Sequence, residues 1–177
     1  MNTPSATDTS DTGRLFLALW PDQRVRGALV HYRDAWAWSR GAALVRPDAL
    51  HLTVQFIGAV PRDHLPQLRA GLAVPFVPFD LSLDDPELWP RGLAVLRPHA
   101  TPAGLLALHE ALGQALAQWG VEAEKRAFRP HVTFARRAAG TVPPASMPAI
   151  AWHVRGYALV ESMRTASGDY RVIQSYA

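Results

Sequence analysis

Alternation of apolar and polar positions predicts the strands of this chain, and apolar residues three or four positions apart predict its helices. In the first half, the predicted strands cover residues 14–21, 50–58 and 79–85. The predicted helices between them have apolar positions from Val25 to Trp36, after a capping Asp22, and from Leu65 to Val74, after Pro61 and Asp63. The first half therefore has the order strand, helix, strand, helix, strand.

The second half begins with the same order. A strand over residues 92–98 is stopped by a proline, and a long amphipathic helix follows it. Thr101 is the expected cap of this helix, Pro102 lies in its first turn and Gly120 marks its end. The next predicted strand covers residues 128–135, so each half contains a strand, a helix and a further strand in succession.

The last part of the chain predicts a loop and a hairpin. The loop is marked by Pro143, Pro144 and Pro148. The hairpin consists of strands over residues 152–162 and 169–177, with its turn at Ser167, Gly168 and Asp169. The repeated order predicts an α+β fold in one bilobal domain, residues 14–177. It has two pseudo-symmetric antiparallel-type sheets that face a central cleft, with helices outside.

Composition narrows the class of protein. The chain has 177 residues, 49% of them hydrophobic, which suffices for a core, and it has no cysteine. Disulfide scaffolds, thiolate metal sites and cysteine nucleophiles are therefore excluded, which fits the cytoplasm. Residues 1–13 are polar and lack the features of a signal peptide, so we expect a disordered tail. No apolar stretch has membrane-spanning length, and we expect no membrane partner.

The charge of the chain is a weaker indication of its ligand. The net charge is +3, and Lys125 is the one lysine among eighteen basic residues. Guanidinium groups match the geometry of phosphate oxygens, so this composition is compatible with a nucleic-acid ligand.

One tetrapeptide occurs twice, as His51-Leu52-Thr53-Val54 and as His131-Val132-Thr133-Phe134. Successive side chains of a strand point to opposite faces, so in each copy the histidine and the threonine share one face. If the two strands lie side by side, two imidazoles and two hydroxyls converge. Such a group suits acid-base chemistry on a small anion such as a phosphodiester.

Other interpretations of the motif remain open. The histidines could be core-edge residues held by backbone carbonyls, with threonines chosen for their strand propensity. A zinc enzyme that uses His51 and His131 would need a third ligand, and the sequence offers no obvious one. We therefore expect no metal and no cofactor.

The motifs and their surroundings resemble the 2H phosphoesterase superfamily, and within it the RNA 2′,3′-cyclic phosphodiesterases that are also called 2′-5′ RNA ligases. The similar segments are RLFLALWP, LHLTVQFIG, FDLSLDDPELWP, FRPHVTFAR and YALVESMRTASGDYRVIQSYA. They extend from Arg14 to the C-terminus. The resemblance implies a bilobal fold and metal-independent hydrolysis of a terminal 2′,3′-cyclic phosphate on RNA, or of a cyclic nucleotide, to a 2′-phosphomonoester.

By the same resemblance, His51 is the expected proton donor and His131 the expected proton acceptor. Thr53 and Thr133 are expected to donate hydrogen bonds to the phosphate. Arg136 is a further candidate for the phosphate, although strict alternation from Thr133 puts it on the opposite face unless a bulge intervenes. Arg129 shares the face of His131 by alternation and is a weaker candidate.

Several expectations concern the remainder of the chain. His31, His64, His99 and His109 have no partner motif, and we expect them at the surface. The protein is expected to be a monomer. The sequence leaves open a non-catalytic RNA- or nucleotide-binding module of the same fold, action on another cyclic phosphate or on 2′-5′ oligonucleotides, and reversible 2′-5′ ligation.

Overall fold

The structure is a computed structural model that describes residues 11–122, 126–163 and 169–177. Most of the predicted N-terminal tail and the predicted turn residues Ser167 and Gly168 lie outside the described residues. The first strand begins at Thr12, two residues before its predicted start at Arg14. It begins earlier because Thr12 pairs with Pro61 of a neighbouring strand.

The elements follow the predicted order with some additions. The strands are β1 (Thr12–Leu19), β2 (Ala43–Leu44), β3 (Leu52–Pro61), β4 (Phe79–Leu83), β5 (Asp85–Trp89), β6 (Leu93–Arg97), β7 (Val132–Arg136), β8 (Ile150–Val154), β9 (Tyr157–Ser162) and β10 (Tyr170–Tyr176). The helices are α1 (Gln23–Asp34), α2 (Leu65–Gly71) and α3 (Ala103–Ala117). Asp22 caps α1 as predicted, since its carboxylate accepts a hydrogen bond from the amide of Val25 at 2.8 Å.

Two groups of antiparallel strands make up the two lobes and join in the middle. Among the described residues, seven strands follow the order β10-β9-β1-β3-β7-β6-β5, and β2 adds to β7. The lobes meet between β3 and β7, where Leu52 pairs with Val132. The lobes are therefore two halves of one twisted surface, and the predicted motif strands are direct neighbours at their junction.

The two faces of this surface have different roles. Leu15, Leu17 and Leu52 point to one face, where they pack with apolar residues of α1 and α3 in the main core. Phe16 and Ala18, which alternate with them along β1, point to the other face. The helices thus cover one face, and the opposite face is left to line a cleft. Among the described residues, no helix is both long and apolar enough to cross a bilayer.

The prediction of one strand over residues 152–162 is wrong. The segment is divided between β8, which pairs with β4 in a separate two-stranded sheet, and β9, which pairs with β1 and β10. The break lies at Gly156. A Cβ atom there would lie 2.1 Å from the carbonyl oxygen of Tyr176, so only glycine permits this close approach.

Three smaller predictions also differ from the structure. Thr101 does not cap α3, which follows Pro102 without a side-chain cap. Helix α2 ends at Gly71 rather than at Val74, and the amide of Val74 donates a hydrogen bond to the hydroxyl of Tyr157 at 2.9 Å. Strand β5 was not predicted, since Pro86 within it is unfavourable for a strand interior.

Candidate active site

The two motifs lie side by side at the junction of the lobes. His51 and His131 are each the last residue before a strand, β3 and β7 respectively. Because these strands are antiparallel and Leu52 pairs with Val132, the register places His51 across from Thr133 and Thr53 across from His131. All four side chains line one cavity of about 780 Å³. The convergence predicted from the repeated tetrapeptide is therefore present in the structure.

Both histidines make the same hydrogen bond. Nδ1 of His51 donates to the carbonyl oxygen of Ala49 at 2.7 Å, and Nδ1 of His131 donates to that of Arg129 at 2.7 Å. A carbonyl only accepts, so each Nδ1 carries the proton in the neutral ring. Nε2 is then the nitrogen that can accept a proton from a ligand, or donate one to it, in the cavity. A histidine held by a backbone carbonyl was the non-catalytic interpretation of the motif. The same hydrogen bond also gives the orientation that acid-base chemistry needs.

Each motif strand has a β-bulge at the fourth residue of its motif. On β3, Thr53 and Gln55 pair with consecutive residues of β1, so Val54 is the extra residue. On β7, Thr133 and Ala135 pair with consecutive residues of β6, so Phe134 is the extra residue. A bulge shifts the alternation of side chains by one position.

The bulges decide which side chains reach the cavity beyond the threonines. Arg136, three residues after Thr133, lines the cavity with it. The bulge that this placement requires is present. Phe56, three residues after Thr53, lines the cavity on the β3 side. The two lobes therefore place different side chains, an arginine and a phenylalanine, at equivalent positions.

Each bulge leaves a backbone carbonyl that another segment binds. The amide of Val45 donates to the carbonyl oxygen of Phe134 at 2.8 Å. Nδ1 of His109 on α3 donates to that of Val54 at 2.9 Å. His109 is half-buried and stacks on Phe128, so its predicted surface position is wrong. His31, His64 and His99 are exposed as predicted.

Aromatic rings surround His51. Trp20 stacks on the imidazole with ring centroids 5.3 Å apart, and Phe16 and Tyr170 contact it at 5.0 and 5.1 Å. Burial among these rings, together with charge repulsion from a protonated His131 and from Arg136, lowers the pKa of His51 to about 4 despite the hydrogen bond to Ala49. The free protein therefore holds this imidazole neutral at neutral pH.

The imidazole of His131, in the other lobe, is likewise covered by an aromatic ring. Trp89 contacts its ring at 4.5 Å, and the guanidinium of Arg129 lies 4.2 Å above the Trp89 ring. Burial lowers the pKa of His131, and the charges of Arg129, Arg136 and Arg97 act in the same direction against the hydrogen bond to the Arg129 carbonyl. Both imidazoles are therefore neutral in the free protein at neutral pH.

The structure uses the side chain of Arg129 differently from the sequence prediction. Its guanidinium pairs with Glu87 at 3.3 Å and covers Trp89, and it is absent from the described residues that line the cavity. Its backbone carbonyl, by contrast, orients His131. Arg129 therefore acts on the site through His131 and Trp89.

The cavity is suited to an anion. Its described lining residues include Arg14, Arg46 and Arg136 and no acidic residue. Among the described residues, no group of three or more histidine, aspartate or glutamate side chains is placed to hold a metal ion. The available binding groups are thus guanidinium, imidazole and hydroxyl donors, which match phosphate oxygens.

Sequence reasoning missed several residues around the histidines. Arg14, Phe16 and Trp20 follow the alternation of β1 toward the cleft, so the spacing of that strand could have revealed them. Phe56 could not be found in this way, because it reaches the cavity only after the bulge at Val54. Trp89 belongs to the strand that was not predicted.

A family comparison agrees with this geometry. The model of the 2′-5′ RNA ligase superfamily matches residues 21–164. The chain belongs to this superfamily. The matched range contains both tetrapeptides and the segment that supplies Trp89, so the superfamily pattern covers both lobes of the site.

Curated relatives and solved structures agree with the superfamily assignment. The RNA 2′,3′-cyclic phosphodiesterase of Thermus thermophilus is 34% identical over 93% of this chain and 89% of its own length, and that of Escherichia coli is 33% identical over 92% and 91%. E. coli LigT in its apo form superposes with a TM-score of 0.81 at 26% identity, covering 95% of this chain and 98% of that chain. LigT complexed with 3′-AMP gives 0.79 at 25% identity, covering 94% and 98%.

Proposed function

We propose that the protein hydrolyses the 2′,3′-cyclic phosphodiester at the end of an RNA, or of a nucleotide, to a 2′-phosphomonoester by two-histidine acid-base catalysis. The observation that carries this proposal is the matched pair of imidazoles. Each has its Nδ1 held by a backbone carbonyl two residues earlier, and both line one cavity. The names of the two curated relatives support the substrate, and the 3′-AMP complex of LigT supports a nucleotide ligand.

The reaction divides between the two histidines. Nε2 of neutral His131 accepts a proton from water, whose oxygen attacks the phosphorus. The bond from phosphorus to the 3′ oxygen breaks, and that oxygen takes the proton from Nε2 of protonated His51. The product has a 3′ hydroxyl and a 2′ phosphate. The proton gained by His131 and the proton lost by His51 balance, and exchange with water restores both rings.

Threonine and arginine side chains bind the phosphate in this scheme. The hydroxyls of Thr53 and Thr133 donate to its non-bridging oxygens, and Arg136 adds a positive charge from the β7 side. Such donors act where negative charge grows in the transition state, and the loss of one typically costs about 2.7 to 4 kcal/mol of activation free energy. Arg129 has no direct contact with the phosphate in this proposal, since its side chain is engaged by Glu87 and Trp89.

Ligation is the second candidate reaction, because the matching family is described as a 2′-5′ RNA ligase superfamily. The 5′ hydroxyl of another RNA would replace water as the nucleophile. The same proton transfers would then form a 2′-5′ linkage and release the 3′ hydroxyl. We further propose a cytoplasmic monomer, a location that the bacterial origin of both relatives supports. Cell fractionation and light scattering test these two statements.

Product analysis tests the reaction. The protein is incubated with an oligoribonucleotide that ends in a 2′,3′-cyclic phosphate, and the products are separated against 2′- and 3′-phosphate standards. We expect the 2′-phosphate. An unchanged substrate that nevertheless binds with micromolar affinity would instead support the non-catalytic binding module. A parallel reaction with a 5′-hydroxyl RNA detects ligation, and substrates with other cyclic phosphates or with 2′-5′ linkages test the remaining alternatives.

A further inference from the structure

The floor of the cavity continues well beyond the histidines along β1 and β3. Phe16 pairs with Phe56 on this floor, and Arg14 lies two residues before Phe16 on the same face. From Leu19, which pairs with Leu52 beside His51, to Arg14 is five residues. At about 3.4 Å per residue this is about 17 Å along the strand. On the side of β1 and β3, the cavity therefore forms an elongated groove that extends from the two histidines to Arg14.

The groove changes chemically along its length. The end at His51 and Thr53 is polar. The middle is aromatic, and the ring of Phe56 is 64% exposed although it is a large apolar side chain. The far end is cationic, because Arg14 is exposed and its nearest partners on the neighbouring strands are Ala59 and Ser162.

The arginine at the far end is exposed and is available to an anionic ligand that reaches it. The described residues that line the groove contain no carboxylate. Arg46 also lines the cavity, but its charge is paired, because it is bonded to Asp48 and Asp169. Arg14 has no such pair among the described residues. An anion of the substrate is thus the ligand that its charge fits.

Single-stranded RNA matches the order of these features. Proteins that bind single strands combine cationic groups for the backbone with exposed aromatic rings for the bases. A cyclic mononucleotide on the histidines carries its single phosphate at the reaction end. A strand continues from that nucleotide with a base and a further phosphodiester for each residue on its 5′ side.

On this basis, which rests on the proposed function, we propose that Arg14 and Phe56 form a binding site for the RNA strand on the 5′ side of the cyclic phosphate. Arg14 binds a backbone phosphate, and the exposed ring of Phe56 contacts a base. The groove therefore selects the end of an RNA strand over a cyclic mononucleotide. Neither residue takes part in the proton transfers.

Kinetics with two substrates test this inference. The values of kcat/KM are measured for a short oligoribonucleotide that ends in a 2′,3′-cyclic phosphate and for a 2′,3′-cyclic mononucleotide, with wild type, Arg14→Gln and Phe56→Ala. We expect Arg14→Gln to lower kcat/KM for the oligonucleotide about tenfold, mainly through KM, and to leave the mononucleotide within twofold. Phe56→Ala should lower kcat/KM for the oligonucleotide more than for the mononucleotide, and equal losses with the two substrates would reject the base contact. Arg155→Gln is the matched control, since it removes one exposed positive charge outside the described lining of the groove.

Salt dependence identifies the phosphate contact. Each phosphate contact with a single strand contributes about 0.7 to the slope of log affinity against log salt concentration. Arg14→Gln should lower this slope by about that amount for the oligonucleotide, and Arg155→Gln should leave it unchanged. Equal losses with both substrates, or an unchanged slope, would overturn the inference.

A binding measurement separates failure of this inference from failure of the proposed function. The fluorescence anisotropy of a labelled oligoribonucleotide with a 3′ phosphate is recorded against protein concentration, which requires no turnover. If wild type hydrolyses neither substrate, the proposed function fails, and weaker binding by Arg14→Gln alone still supports the strand site. If wild type hydrolyses both substrates and Arg14→Gln binds the oligonucleotide as wild type does, the proposed function stands and the strand site is rejected.

Discussion

The imidazole of His109 on α3 is bonded to the carbonyl oxygen of Val54, the extra residue of the bulge in the first motif strand, at 2.9 Å. The side-chain amide of Gln55 donates in return to the carbonyl oxygen of His109 at 2.8 Å. The helix on the core side thus holds the irregular part of β3, and this irregularity directs Phe56 into the groove.

Replacement of His109 should therefore destabilise the protein. In His109→Ala the carbonyl of Val54 loses its donor and the stack on Phe128 is lost, so we expect the free energy of unfolding to fall by about 1 to 3 kcal/mol. Denaturant unfolding measures this change. His109→Gln, which can still donate a hydrogen bond, should recover part of it, and His31→Ala, an exposed control on α1, should have no effect. Equal stability of His109→Ala and wild type would show that the bulge needs no support from α3.

The two motif histidines should both be required for turnover. We expect His51→Ala and His131→Ala each to lower kcat by roughly 10² to 10⁴, the usual contribution of a general acid or base. Far-ultraviolet circular dichroism should remain that of wild type, and His31→Ala should keep full activity. Near-wild-type turnover in either folded variant would contradict the two-histidine mechanism.

The pH dependence should reflect two imidazoles with lowered pKa values. The reactive form needs one protonated and one neutral ring, so kcat/KM should follow a bell. Its maximum should lie on the acidic side of neutrality, because the pKa of His51 is lowered to about 4 and that of His131 is also lowered in the free protein. A bound phosphate anion stabilises the protonated ring, so the bell for kcat should lie at higher pH.

Replacement of Arg136 tests this reasoning through the direction in which the pH optimum moves. Its positive charge lowers the pKa of both histidines. Arg136→Gln should therefore raise both values and move the optimum of kcat/KM to higher pH, even though the variant is less active. An unmoved optimum, or a wild-type profile that rises steadily through pH 9, would contradict the assigned roles.

Acid sensitivity of the fold should depend on Glu161. This carboxylate is 2% exposed and is bonded to Arg62 at 2.7 Å and to Arg171 at 2.6 Å. Burial by itself would raise the pKa of Glu161, but the hydrogen bonds from Arg171 and Arg62 and their charges lower it. A carboxylate whose pKa is lower in the folded than in the unfolded state adds stability above its unfolded pKa, and this stability is lost as the pH falls through the folded value.

We therefore expect Glu161→Gln to be less stable than wild type by about 1 to 3 kcal/mol at pH 7, since both arginines lose a charged partner but are partly exposed to solvent. The difference should shrink below about pH 4, as the wild-type carboxylate becomes protonated. Urea unfolding at pH 7 and at pH 3.5 measures it. Glu110→Gln, an exposed control, should behave as wild type at both values, and a difference that does not change with pH would contradict this account.

Activity should survive metal removal, because the proposed chemistry uses proton transfer and hydrogen-bond donors alone. The rate of cyclic phosphate hydrolysis is measured before and after dialysis against excess chelator. Unchanged kcat is the expected result. Inhibition that added zinc reverses would contradict it.

The sequence determined the local chemistry of this site. The repeated tetrapeptide places one histidine and one threonine on the same face of each strand, because side chains of a strand alternate. It also determined most elements, such as α1 after its capping Asp22, since capping and amphipathic spacing depend on residues a few positions apart.

Tertiary structure alone decided how the two motifs come together and which further side chains reach the site. The pairing of Leu52 with Val132 brings the two motifs together across about eighty residues of chain. The bulges at Val54 and Phe134 then turn Phe56 and Arg136 into the groove. The choice of partner strand and the position of a bulge depend on hydrogen bonds between strands that are distant in the chain, so one strand's own sequence does not specify them.

The aromatic rings that cover the two histidines are also placed by the tertiary structure. Trp20 stacks on His51 and Trp89 contacts His131, although each pair is separated by at least thirty positions in the chain. Burial by these rings lowers both pKa values, and burial is a property of the packed lobes. The sequence thus supplied the titratable groups, and their protonation states were decided by packing that only the folded chain provides.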